Sequence, residues 1–333
     1  MHVDQTRCML NRRRFFQIGS SCMLSPLIGR AACEDGLSQF GDASTAEEVT
    51  AGIDLRGKTA LVTGINSGIG YETMRVLALR GAHVLGTART EDKGRVACDS
   101  VVGMTTPLVL ELSDFNSVVE CADRVRQMGM PIDILICNAG AIFSELRQIN
   151  GIEAHFVVNH LGHFILVNRL LDQVIAAPQG RIVIVGSRAH QSAPSDGIQF
   201  NDLSGDSWFD RQTAYGHSKL ANGLHSLELS RRLKDTRVTS NVIHPGVVQT
   251  NIARNLAQWQ QLAFRLYGYL FLKNLEEGAA TTSYVATHNN LTDVNGCYFA
   301  DSNPVTPDQN MQDERMASRL WNVSERLASD YLI

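Results

Sequence analysis

From residue 58 to residue 244 the chain alternates short apolar, β-branched runs with segments that carry apolar residues at helical spacing. The runs are "KTALVTG", "HVLGTAR", "PLVLEL", "IDILICNAG", "GRIVIVGS" and "RVTSNVIH". Each is apolar throughout rather than at every second position, which marks strands buried on both faces. Between them, "SGIGYETMRVLALRGA" reads as a helix ending at Gly81, and helix formers follow Glu91. "SDFNSVVECADRVRQM" reads as a helix capped by Ser113 or Asp114, and "GIEAHFVVNHLGHFILVNRLLDQVIAA" as one long helix. "TAYGHSKLANGLHSLELSRRLKD" is the last helix before the final run. Parallel neighbours need a crossover, and helices in strict succession with strands supply it. The expected fold is therefore a single α/β domain, a doubly wound parallel sheet with helices on both faces, over residues 53–333. Residues 34–52, polar with Gly and Ser, read as a linker.

The chain has 333 residues, 44% apolar and 19% charged, with a formal net charge of −4. No basic patch forms downstream of residue 14, which argues against a nucleic-acid partner. The seven cysteines form no CxxC pair and no metal-ligand spacing, and Cys137 lies inside an apolar run. Neither a disulfide framework nor a metal site is expected. No apolar run approaches the roughly 18 residues of a spanning helix.

"TGINSGIG" joins the first run to the first helix, with glycines at 64, 68 and 70. Glycines allow a tight turn and close backbone approach, and the helix N-terminus receives a pyrophosphate. The expected unit is a Rossmann-type dinucleotide site, with Gly64, Asn66, Ser67, Gly68, Ile69 and Gly70 in the turn. The second run ends in "GTARTE", with Arg89 where a carboxylate would hold a ribose 2′-hydroxyl. An arginine suits a 2′-phosphate, so NADP(H) is expected over NAD(H); a solvated surface arginine is the competing reading.

"YGHSK" places Tyr215 and Lys219 on one helix face. A phenol titrates near 10, too high for proton transfer at neutral pH, but a neighbouring cation favours the phenolate. The pair therefore suits acid/base chemistry on a carbonyl or alcohol.

Six stretches occur in the order used by short-chain dehydrogenases/reductases: "TGINSGIG", "NAG" (138–140), "VNHLGHF" (158–164), "IVIVGSRAH" (182–190), "YGHSK" and "HPGVVQTNI" (244–252). The chain resembles that family, within it the retinol-dehydrogenase-like branch that includes the oxidoreductase domain of the WW-domain oxidoreductase. "AGIDLRGKTALVTG", "EEGAATTSYVAT" and "RLWNVSE" are further branch-like features. The resemblance implies Tyr215 as the acid/base, Lys219 on the nicotinamide ribose, Ser187 on the substrate oxygen, and Asn159 holding a water that connects Lys219 to solvent. It also implies Asn138 beside the adenine ribose, within "NAG" with Ala139 and Gly140, and Pro245 and Gly246 bordering the nicotinamide. Where the family has an aspartate near the end of the third strand, this chain has Glu111, and the adenine contact passes to the Leu112 backbone.

His155, His160 and His163 share one expected helix without a carboxylate or cysteine at ligand spacing, so they are not read as metal ligands. "LAQWQQLAFRLYGYLFLKN" (256–274) has apolar positions at helical spacing. It fits either a core-facing helix or a hydrophobic lid over a lipophilic carbonyl or alcohol substrate, the lid admitting a peripheral membrane contact. A homodimer is also admitted. Two rival functions share the fold: reduction of a conjugated double bond, and a non-catalytic dinucleotide-binding redox sensor.

Near the start, "NRRRFFQIGSS" resembles a twin-arginine export signal, with Asn11 and Gln17 at positions that usually differ. A short apolar stretch and "AAC" follow, giving a signal segment over 1–33. Arg30 argues against a lipobox at Cys33. The expected location is the periplasm; the alternative is an unprocessed basic tail on a cytoplasmic enzyme.

Overall fold

Thr59–Thr63 forms β1, buried along its whole length, and the other runs gather around it in a computed structural model that describes Cys33, residues 38–248 and residues 273–332. β2 (His83–Ala88), β3 (Met104–Val109), β4 (Ile134–Cys137), a small hairpin of β5 (Gln148–Ile149) and β6 (Ile152–Glu153), β7 (Arg181–Val185), β8 (Thr239–His244), β9 (Tyr298–Ala300) and β10 (Asn303–Pro304) follow. Among the described residues the main sheet has eight strands, in the order β10-β9-β8-β7-β4-β1-β2-β3. Neighbours pair parallel except the short β10, which is antiparallel. After β3 the chain returns to the other side of β1, so the order reverses between β1 and β4. Ligands of open α/β sheets bind at the carboxyl ends of the strands at such a reversal.

The helices among the described residues are α1 (Ala46–Val49), α2 (Gly68–Leu79), α3 (Glu91–Asp99), α4 (Phe115–Gln127), α5 (Ala154–Phe156), α6 (Gly162–Ile175), α7 (Arg211–Arg232), α8 (Leu275–Thr287) and α9 (Glu314–Leu327). One core packs Val118, Phe164, Leu224 and Leu320 of α4, α6, α7 and α9 on Leu61 and Leu135. The other packs Met74, Leu77, Ala97 and Val285 of α2, α3 and α8 on Val62 and Val84. Leu61 and Val62, on opposite faces of β1, are fully buried, each contributing about 1.5–3 kcal/mol. This is the doubly wound arrangement with helices on both faces that the alternating pattern implied. Asp114 caps α4, its carboxylate accepting the Asn116 N–H.

Four expectations need correcting. The long helix does not begin at Gly151: Asn150 (φ 52°) and Gly151 (φ 77°) make the tight turn between β5 and β6, and the helix starts at Ala154. An Asn-Gly step is a hairpin signal, because both residues tolerate positive φ. The third strand lies at the sheet edge over Met104–Val109 and is mostly not buried; its Pro107 is tolerated there because an edge strand leaves one row of N–H groups unpaired.

The segment read as a linker is packed from Ser38 onward. Phe40 meets Tyr284 edge-on, Asn303 binds the Phe40 carbonyl, and a Thr45–Glu48 capping box starts α1, whose Ala46 and Val49 are buried. Finally, Cys33 and Cys297 form a disulfide across 264 positions. No local spacing announces it, since the partners meet only once β9 has joined the sheet.

Candidate active site

The glycine turn follows from β1 and β2 lying side by side. Gly64 (φ 76°) and Ile65 both donate their N–H groups to the Thr87 carbonyl at the end of β2. Asn66 and Ser67 are exposed, and Gly68 and Ile69 are half-buried. Ser67 caps α2 in extended conformation without a side-chain hydrogen bond, and the first turn holds no acidic residue. The N-terminus of α2 thus faces outward with its positive end available to an anion. Gly70 could not be alanine here, because a Cβ would run into the Gly64 carbonyl and the Asn138 amide.

Asn138 braces this turn from behind. Its side-chain amide donates to the Thr63 carbonyl (2.8 Å), while its own N–H and that of Ala139 both donate to Thr63 Oγ1 (2.9 Å each). Arg89 is exposed directly after β2 and makes no ion pair among the described residues. Glu111 is turned to local work: its carboxylate accepts from the Ser113 N–H (3.0 Å) and hydroxyl (2.7 Å). Leu112 is buried, with its carbonyl against Gly162. Pro245 and Gly246 sit half-buried after β8, Gly246 beside the aliphatic part of Lys273, whose ammonium pairs with Asp301 (2.6 Å).

The catalytic candidates converge beyond β4 and β7. Asp210 caps α7 by accepting the N–H groups of Gln212 and Thr213, which sets Tyr215 and Lys219 on the inner face of its first turns. Lys219 is buried and donates to the carbonyl of Val185 (2.9 Å), the last residue of β7. Its Nζ lies 5.6 Å from the Tyr215 ring centre. Ser187 lies two residues beyond β7, where its side chain favours the ionised form of the Tyr215 phenol, and its Oγ accepts the Ala189 N–H.

Asn159 lies in a π turn (Val157–Leu161) that joins α5 to α6. Its Oδ1 accepts the Ala141 N–H (2.8 Å), and its Nδ2 donates to the Ala141 carbonyl (3.1 Å) and to Ser218 Oγ (2.9 Å), beside Lys219. Gly140 fills the gap between Asn159 and Lys219, where a Cβ would sit 3.1 Å from Oδ1. Asn159, Ser187, Tyr215 and Lys219 are therefore brought into one group. Single π turns inside helices often mark functional positions.

Burial dominates the electrostatics. It pushes the Tyr215 phenol up to about 12, against the opposing effect of the Ser187 side chain, and pushes Lys219 down to about 8. The expectation that Lys219 lowers the tyrosine is not what this geometry does by itself: desolvation of the phenolate outweighs an ammonium engaged with Val185. A cation placed next to the phenol would act against that desolvation.

Two histidines that the sequence reading set aside as metal ligands take positions in the site. His155 lies edge-on to Tyr215 with ring centres 6.1 Å apart; its Nδ1 binds the buried Glu153 carboxylate (2.6 Å) and its Nε2 accepts the Phe143 N–H (2.8 Å). His163 sits under the glycine turn, as developed below. Each has one near partner, Glu153 or Asn159, but the partner that ties it to the site, Phe143 or Thr63, lies on another element and gives no local signal. The segment 256–272 and the N-terminal "NRRRFFQIGSS" lie outside the described residues. Among the described residues no cluster of His, Cys, Asp and Glu could hold a metal ion, and no helix is long and apolar enough to cross a membrane.

Comparison with known proteins adds three findings. The short chain dehydrogenase family model matches residues 58–261. Among curated relatives, short-chain dehydrogenase TIC 32 A, chloroplastic, from Brassica napus is 39% identical, over 90% of this chain and 98% of the relative. Retinol dehydrogenase 12 from Mus musculus is 38% identical, over 83% of this chain and 87% of the relative. Among solved structures, the crystal structure of an uncharacterised protein from Mycobacterium paratuberculosis superposes with a TM-score of 0.70 at 31% identity, covering 86% of this chain and 98% of that one.

Proposed function

The chain belongs to the short-chain dehydrogenase/reductase family, and from that premise we propose that it is an NADP(H)-preferring oxidoreductase interconverting a carbonyl and an alcohol on a lipophilic small molecule. The observation that carries the reading is the convergence of Ser187, Tyr215, Lys219 and Asn159 beside a helix N-terminus that has no side-chain cap. The residues fit a dinucleotide: α2 begins with no side-chain cap and no acidic residue in its first turn and offers its positive end to a pyrophosphate, and Gly70 lets the preceding turn pack closely on Gly64 and Asn138. Arg89, exposed and without an ion pair among the described residues, suits a ribose 2′-phosphate.

The dinucleotide, when bound, supplies the hydride. This chain's residues supply orientation and the proton. Ser187 hydrogen-bonds the substrate oxygen through its hydroxyl, keeping its proton, and holds that oxygen beside the Tyr215 phenol. Tyr215 gives a proton to the developing alkoxide in reduction and takes it back in oxidation. Lys219 holds the ribose and keeps positive charge near the phenolate, while Asn159 fixes the loop at Ala141 and steadies the start of α7 through Ser218. Phe143 and Phe209 flank the His155 ring that abuts Tyr215, an aromatic wall suited to an apolar substrate. The name of the retinol dehydrogenase relative supports the same substrate class.

The compartment is proposed to be oxidising and outside the cytoplasm. The Cys33–Cys297 disulfide supports this, because such bonds persist in oxidising compartments. It agrees with the twin-arginine-like signal expected at the N-terminus, provided that any cleavage falls before Cys33 rather than after the 1–33 segment.

The deciding assay follows NADPH oxidation by the wild type and by Tyr215→Phe over aldehydes, ketones and enones. Turnover of carbonyls by the wild type, about 10²–10⁴-fold slower in the variant, is expected. Turnover of enones alone would move the activity to double-bond reduction, and equal rates in the two proteins would remove the tyrosine from the chemistry.

A further inference from the structure

His163 is buried in the first turn of α6, and both its ring nitrogens have partners. Its Nε2 lies 3.0 Å from Thr63 Oγ1, one hundred positions away, and its Nδ1 lies 3.2 Å from the Asn159 carbonyl. The proton positions follow from counting. Thr63 Oγ1 accepts the N–H groups of both Asn138 and Ala139, so both lone pairs are occupied and one hydroxyl proton remains. That proton has two acceptors in range: His163 Nε2 at 3.0 Å and the Ile136 carbonyl at 3.4 Å. The shorter bond makes Nε2 an acceptor, so Nδ1 carries the ring proton and donates it to Asn159.

The ring therefore bridges two halves of the site. On one side Thr63 closes β1 immediately before Gly64, and its hydroxyl and carbonyl hold Asn138 and Ala139 behind the glycine turn. On the other side is the π turn, where the Gly162 N–H reaches back five residues to Val157 and widens the helix around Asn159. Asn159 passes the connection to Ser218, adjacent to Lys219.

We propose that His163 is a positioning residue that couples the dinucleotide turn to the catalytic helix: Nε2 fixes Thr63, and Nδ1–H fixes the Asn159 carbonyl. The catalytic half rests on the activity proposed above, whereas the Thr63 half concerns dinucleotide binding alone.

The two nitrogens can be tested separately. A glutamine amide reaches the Nε2 position and can accept from Thr63; an asparagine amide reaches the Nδ1 position and can donate to Asn159. NADPH affinity is measured by quenching of protein fluorescence, and hydride transfer by single-turnover NADPH oxidation at saturating NADPH. His163→Gln is expected to keep the wild-type Kd within about threefold and to slow transfer about tenfold, the scale of one lost hydrogen bond. His163→Asn is expected to do the reverse, weakening NADPH about tenfold with transfer nearly intact. His163→Leu should show both losses.

Gln and Asn variants that match each other in both measurements, whether like wild type or like Leu, would overturn the coupling, as would the reversed pattern. Melting curves of the Gln and Asn variants keep the comparison to folded protein, even where the Leu variant does not fold. A wild type that binds NADPH and turns over no carbonyl would end the proposed activity, and the Kd comparison would still decide the Thr63 tie.

Discussion

Lys219 donates an ammonium N–H to the carbonyl of Val185 at 2.9 Å, so the lysine of α7 is anchored on the last residue of β7. The anchor holds Nζ beneath the Tyr215 ring, in a place dry enough to lower its proton affinity to about 8.

That shift sets a pH dependence. A lysine normally keeps its proton to about 10.4; here the ammonium is present below about pH 8 and lost above it. If it holds the ribose, the Kd for NADPH should be flat from pH 6 to 7 and rise as pH passes about 8. Lys219→Met should bind weakly with no such rise. Superimposable profiles for the two proteins would separate Lys219 from the dinucleotide.

Arg89 should discriminate between the two dinucleotides. A charge-assisted hydrogen bond to a phosphate contributes about 1.5–3 kcal/mol, so Arg89→Ala should weaken NADPH by roughly 10–100-fold and change NADH little. Equal changes for both, read by the same fluorescence titration, would make Arg89 a solvated surface residue.

Acid should destabilise the fold through buried histidines. His160, His163, His217 and His225 are fully buried, and desolvation lowers each: His163 to about 4, His217 and His225 to about 3, His160 well below its usual value. Their folded values lie below the unfolded 6.5, so the unfolded chain takes up protons first as pH falls. Stability present above about pH 6.5 is lost progressively toward pH 4, each group adding up to about 1.4 kcal/mol per pH unit. Denaturant titrations between pH 5 and 7 should show this slope, and His217→Gln, whose amide can still accept the Gln199 N–H, should reduce it by about one proton. A slope unchanged in that variant would mean His217 does not titrate with unfolding.

The disulfide should act as a staple on the arm before α1. Closing a long loop by a disulfide stabilises by about 2–4 kcal/mol. Under oxidising conditions Cys297→Ser should therefore melt several degrees below the wild type, and a reductant should bring the wild type down to the variant. A wild-type melting temperature indifferent to reductant would mean that Cys33 and Cys297 do not pair in solution.

Much of the site was legible because its signals are local. The glycines of "TGINSGIG" sit where a tight turn into a helix requires them, and four residues separate Tyr215 from Lys219, which places them on one face of any helix. Asn138 was legible as a site residue, but the direction of its amide was not: that depends on Thr63 in a neighbouring strand. The Asn150–Gly151 turn was written in the sequence and was overridden by the apolar periodicity that follows it. Segment 34–52 read as polar linker because its few apolar side chains, Phe40 among them, become meaningful only against α2 and α8.

What the sequence determined by itself is whatever depends on chain spacing: the succession of strands and helices, the anion-ready start of α2, and the shared face of Tyr215 and Lys219. The tertiary structure decided what depends on strand order. With β4 beside β1, Thr63 meets Asn138, and with α6 packed beneath them His163 reaches Thr63. With β9 beside β8, Cys297 arrives where Cys33 waits. The physical reason is range: a helix turn or glycine bend is chosen by a few neighbouring residues, whereas these contacts join positions 75, 100 and 264 apart and exist only after the sheet has closed its order.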